Sequence, residues 1–95
     1  MIVGICKLVL YLPVCHSLKE KRGVVRKIKD RTFNKFKIPV AEVDSLDKWQ
    51  KAGLGFSVTG NDSKNIDSIM QKMANYVEDL GLAEILDVDM EIINV

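Results

Sequence analysis

Four groups of residues in this chain have types and spacings that could do chemistry. Cys15 and His16 set a thiol beside an imidazole, the pairing from which a thiolate nucleophile and its base are made. Adjacent residues in an extended turn usually point apart, however, and no third group follows to orient the imidazole, so the pair is read as turn residues. Glu42, Asp44 and Asp47 could be imagined as an acid–base or metal cluster, but the chain has a single histidine, far away at position 16, and on a strand and its loop these acids read as solvated charges. The turn Pro13-Val14-Cys15-His16-Ser17 leads into a helix N-terminus and could seat an anion on free N–H groups. The fourth group is a run of cations, Lys19, Lys21, Arg22, Arg26 and Lys29, and it binds rather than reacts. The expectation is a protein with no catalytic residues, no metal, no cofactor and no evident small-molecule substrate.

The cations lie on Ser17–Lys37, SLKEKRGVVRKIKDRTFNKFK. Ser17 and Glu20 make an S-x-x-E capping box, so a helix starts here. At 100° per residue Leu18, Val25, Ile28, Thr32 and Phe36 share one narrow stripe that can face a core. The remainder is positive, nine Lys/Arg against Glu20 and Asp30. Lys19, Arg22, Arg26 and Lys29 fall within about 80° of one another, with Phe33 on the same side. Like charges three and four residues apart repel by a few tenths of a kcal/mol per pair, roughly, and contact with several phosphates returns far more. A polyanion, RNA above all, is therefore the expected partner of Lys19, Lys21, Arg22, Arg26 and Lys29.

The elements that must carry this helix follow from pattern. Ninety-five residues, 47% apolar and 28% charged, are enough for one globular domain over residues 1–95. The net charge of +1 conceals a bipolar chain, because residues 78–95 hold six acids and no base. Such a chain suits a polyanion on one side, or copies of itself or an acidic partner meeting head to tail. Two cysteines without zinc spacing suggest reduced thiols and a cytoplasmic protein. The opening MIVGICKLVLYLP lacks a basic leader and is too short to span a bilayer, so no membrane association is expected and residues 2–12 read as a strand. Its even positions, Gly4 to Leu12, point to the core. Pro39 forces Ile38 out of helical geometry and stops the first helix near Lys37. Residues 38–44 read as a second strand and 52–59 as a third, with Leu54, Phe56 and Val58 inward. Gly60, Asn61 and Asp62 turn the chain into a second helix whose apolar rhythm includes Ile66, Met70, Met73 and Val77, with Gly81 as its C′ residue. Residues 84–93 read as a last strand, with Leu86, Val88, Met90 and Ile92 inward and Asp87, Asp89 and Glu91 outward.

The order β-α-β-β-α-β predicts an α+β, ferredoxin-like sandwich: a four-stranded antiparallel sheet with two helices on one face. Its open face is expected to show Gly53, Gly55, Ser57 and Thr59 beside Glu42, Asp44, Asp87, Asp89 and Glu91. That acidic surface, nearly free of stacking platforms, does not suit RNA laid across the sheet. Trp49, in the polar connection 45–50, is expected to fold over the core edge; with Gln50 it is also a candidate interaction site, such as the anchor of a homodimer.

The runs MIVGICKLVLYLP, HSLKEKRGVVRKIKDR, VAEVDSLDKWQKAGLGF and LDVDMEI together resemble the YlxP-like family, small bacterial proteins long described as a domain of unknown function. The resemblance spans nearly the whole chain and implies a ferredoxin-like fold and no established enzyme activity. Family genes often lie among those for transcription and translation factors, which implies a place near RNA or the ribosome, in ribosome maturation. Lys19, Lys21 and Arg22 in SLKEKR, then Trp49 and Gln50, are the positions it points to. Gly23 follows SLKEKR where the family more often has a better helix former.

Overall fold

Ile2–Tyr11 alternates buried Gly4, Cys6, Leu8 and Leu10 with more exposed odd positions, which is how a strand behaves when a core covers one face only. The computed structural model describes residues 1–95. In it, β1 (Ile2–Tyr11) is followed by α1 (Leu18–Phe36), β2 (Ala41–Asp44), β3 (Lys51–Gly60), α2 (Ser63–Asp79) and β4 (Glu84–Asn94). All pairings are antiparallel and the sheet order is β2-β3-β1-β4. This is the ferredoxin-like arrangement read from the sequence.

Each boundary has a local cause. Ser17 takes extended geometry and its Oγ accepts from the Glu20 N–H at 3.1 Å, capping α1. Lys37 adopts the left-handed conformation and its N–H donates to the Phe33 carbonyl, closing the helix two residues before Pro39. Asp62 caps α2 through the Lys64 N–H, and Gly81, at φ 69°, turns the chain away after it. The second strand is shorter than expected. It begins at Ala41 because Pro39 has no N–H for a ladder, and Val40 is buried ahead of it.

One core lies between the sheet and the helices. β1 and β3 supply Cys6, Leu8, Leu54 and Phe56; α1 supplies Val25 and Ile28; α2 supplies Ile66, Met70, Met73 and Val77. The inward assignment of Leu54, Phe56 and Val58 holds.

Two bulges change which side chains face out. In β2, Glu42 pairs with Leu54 and Asp44 with Gly53, leaving Val43 as the extra residue. Paired residues share a face, so Glu42 turns toward the helices and not, as expected, to the open face. In β4, Leu10 pairs with Ile85 while Val9 pairs with Asp87. Ile85 thus takes the inward place expected of Leu86, and Leu86 is 58% exposed. Val88 and Ile92 pair with Leu8 and Gly4 on the helix side, yet stay 42% and 38% exposed because β4 is an edge strand incompletely roofed by helix.

Gly4 marks the closest approach of sheet and helix. A Cβ there would lie 2.5 Å from Ile66 Cγ2 and 2.8 Å from Met70 Sδ, both in fully packed side chains. Gly4→Ala is expected to lower the stability to urea by about 1–3 kcal/mol, the usual cost of overpacking, with the native fold retained.

Candidate functional site

The basic helix does not offer all its cations to solvent. Lys21 projects into the fold: its side chain is 1% exposed, and its Nζ lies 2.8 Å from Oε2 of Glu42, itself 16% exposed. The same ammonium donates to the Ser45 carbonyl, at a residue whose φ of 59° bends the chain into the 45–50 connection. Oε2 of Glu42 has no other polar partner. Lys21, expected among the phosphate ligands, is therefore an internal strut joining α1 to β2 and the following loop. The correction has a simple geometric cause. On a 3.6-residue helix Lys21 falls between Val25 and Ile28, inside the core-facing stripe.

The other four cations stay outside. Lys19, Arg22 and Arg26 are exposed and Lys29 half-buried, and none is in an ion pair, since the chain's two ion pairs are Lys21–Glu42 and Lys7–Asp44. Phe33 is exposed beside them, with Lys37 Nζ 5.8 Å from its ring centre. Gly23 sits among these residues, and apart from its immediate chain neighbours and the helix backbone nothing lies within 4 Å of where its Cβ would be. Nothing inside the protein requires a glycine there, although it costs the helix about 0.8–1 kcal/mol against alanine. The C-terminal half of α1 is held by α2: Phe36 and Tyr76 meet edge to face at 5.6 Å, and the Tyr76 hydroxyl donates to the Arg31 carbonyl.

The turn before α1 is already occupied. Glu20 Oε2 accepts from the His16 N–H at 3.2 Å, so a carboxylate of the chain sits where an anion seat was expected, and it would repel a second anion. Cys15 is buried; burial, then the nearby Glu20 charge, raises its thiol pKa, while His16 is exposed. Burial pushes Cys6 up to about 11. The three acids are also dispersed. Glu42 faces Lys21, whereas Asp44 lies on the open sheet face 2.8 Å from Lys7. Hydrogen bonding to Lys7 lowers Asp44, and the same bond raises Lys7. Their contribution to stability is therefore present at neutral pH, is lost as pH falls through the lowered Asp44 value, and is lost again as it rises through the raised Lys7 value.

The open face differs from its expected composition. Besides Asp44, Asp87, Asp89 and Glu91 it carries Ile5, Tyr11 and the bulge residue Val43. Trp49 does not fold over the core edge. It is 55% exposed and lines a recess of about 420 Å³ with Tyr11, Lys48, Gln50, Lys51 and Leu86. Gln50 is partly engaged, its Nε2 donating to the Pro13 carbonyl at 3.2 Å. Tyr11 was missed as a site residue, although its odd position in β1, shared with Lys7, already places it outward. Leu86 carries no such signal, because the bulge that turns it is unmarked in the sequence. The larger recess, about 570 Å³, includes Glu78 and Glu84 and no cation, the wrong sign for a polyanion.

Comparison with known proteins agrees with this architecture. The profile of the family described as "Protein of unknown function (DUF503)" matches residues 3–90. The chain belongs to that family. Among curated proteins it is 27% identical, over 73 residues covering 77% of each chain, to the "Uncharacterized protein YlxP" of Bacillus subtilis (strain 168), in keeping with the YlxP-like resemblance. Among solved structures it is similar to a structural genomics protein, YJCS, with a TM-score of 0.54, 16% identity, and coverage of 97% of this chain and 99% of that one. At that identity the likeness speaks for the fold alone. No helix of this DUF503 chain is long and apolar enough to cross a membrane.

The Lys21–Glu42 pair can be tested for its structural part. Removing one member of a buried pair strands the other charge, so Glu42→Leu is expected to cost about 3 kcal/mol in urea unfolding. Adding Lys21→Met should recover most of that loss. An additive or larger loss in the double variant would contradict the strut.

Proposed function

We propose that this protein binds structured RNA in the cytoplasm, at or near the ribosome, by setting the phosphate backbone against the outer flank of α1. Lys19, Arg22, Arg26 and Lys29 are the contacts. The observation that carries the reading is that these four cations share one flank and none is neutralised by a carboxylate of the chain. Their mutual repulsion has no intramolecular compensation, and a polyanion supplies it. Gly23 supports the same reading. Its open surface lets a partner come close to the helix backbone between charged residues, which accounts for a glycine that the fold itself does not need. Phe33 adds a flat apolar surface on the same flank. The place near the ribosome, in maturation or translation, rests on the genomic company of the YlxP-like family. The internal Lys21 takes no part in the contact.

Filter binding with a structured RNA tests the reading. Four neutralised phosphates imply a slope of log K against log salt of about −3.6, at roughly 0.9 per phosphate on a duplex. Arg22→Glu/Arg26→Glu should weaken binding by about tenfold or more and flatten that slope by about 2. Absence of binding at low salt, or indifference to the charge reversals, would refute it.

A further inference from the structure

We propose that the recess lined by Tyr11, Trp49 and Leu86 is a stacking subsite for one unpaired base of the RNA whose phosphates α1 holds, an inference that rests on the α1 reading and adds a second contact to it. Three observations point there.

The first is the chemistry of the lining. Two aromatic side chains and a leucine share one concavity with Lys48, Gln50 and Lys51, and no carboxylate is among them. Neither lysine is in an ion pair. Aromatic surface flanked by unpaired ammonium groups is the composition that holds a nucleobase by its face and its phosphate by charge. Its volume, about 420 Å³, falls within the ~300–1,000 Å³ of small-ligand pockets.

The second is position. The 45–50 connection ends at the recess, and three hydrogen bonds fasten it nearby, two to Leu12 and Pro13 in the segment between β1 and α1 and one to Lys21 in the first turns of α1. The Leu12 N–H donates to the Gln50 carbonyl at 2.9 Å, Gln50 Nε2 donates to the Pro13 carbonyl, and Lys21 Nζ donates to the Ser45 carbonyl. The recess and the first turns of the basic helix therefore belong to one end of the molecule, and one strand of nucleic acid can reach both.

The third is the charge around the recess. Glu84 pairs with Tyr11 at the β4 side of the recess, and Asp87, Asp89 and Glu91 continue along the same sheet face; all four repel phosphate. The path away from the recess is thus round the end of the molecule toward α1, not across the sheet, which limits the subsite to about one base. A second copy of this chain fits less well. A twofold contact centred on the recess would bring Lys48 and Lys51 of both copies together.

Trp49 is the only tryptophan of the chain, so its emission reports on this site alone. The wild-type protein is titrated with a short single-stranded RNA and with an abasic sugar–phosphate strand of equal length and charge. Binding is followed by filter retention and by Trp49 fluorescence. The RNA is expected to quench Trp49 and to bind about tenfold more tightly than the abasic strand, which binds without quenching. Trp49→Ala and Tyr11→Ala should each weaken RNA binding by about tenfold and leave abasic binding unchanged, whereas Tyr11→Phe and Trp49→Tyr, which keep a ring, retain most of the affinity. Equal affinity for the two strands without quenching overturns the subsite and leaves the α1 reading standing. Failure of both strands to bind overturns the subsite, and the α1 reading falls with it only where the structured RNA also fails to bind. A blue shift of Trp49 emission that follows protein concentration and not RNA places a second copy over the recess and also overturns the proposal.

Discussion

The buried ammonium of Lys21 is the contact on which the rest of the arrangement depends. Taking an ammonium and a carboxylate out of water costs several kcal/mol, roughly, and their attraction with the Ser45 hydrogen bond offsets much of that. The pair's value is therefore geometric rather than energetic. By engaging Glu42 on β2 and the carbonyl that opens the 45–50 connection, Lys21 fixes how α1 is rotated about its own axis. With that rotation set, Arg22 and Arg26 face solvent and Val25 and Ile28 face the sheet. The same contact keeps the loop that ends at Trp49 beside the start of the helix.

The edge strands do the complementary work on the other side. β2 and β4 each carry a bulge, and each bulge changes what the open face displays. In β2 it sends Glu42 inward to Lys21 and Asp44 outward to Lys7, so two neighbouring acids serve opposite faces of the sheet. In β4 it brings Leu86 out beside Tyr11 and Trp49. Bulges at sheet edges also blunt the ladder against pairing with other chains. The outcome is a molecule with unpaired positive charge along one helix flank, an aromatic recess at one end, and acids on the far edge strand.

Much of this was legible in the sequence. Ser17 and Glu20 announced the start of α1, Pro39 its end, and Gly81 the exit from α2. Alternation in β1 and β3 fixed the core face. Lys21 was legible in principle: its helical angle lies between Val25 and Ile28, but counting it with the surrounding lysines hid that. Glu42 and Leu86 were not legible, because a bulge shifts strand parity by one residue and leaves no mark in composition. Trp49 was expected in the right loop but folded over the core edge, and it is exposed instead, since nothing in residues 45–50 says which way a polar connection will turn its side chains.

Amide chemical-shift mapping by NMR, with a single-stranded RNA that can reach both contacts, tests the central claim most directly. The account predicts one contiguous set of perturbed amides, running from residues 19–33 of α1 round through 48–51 to Tyr11, with α2 and the acidic stretch of β4 unmoved. Perturbations centred on β4 or α2, or none along α1, would contradict it.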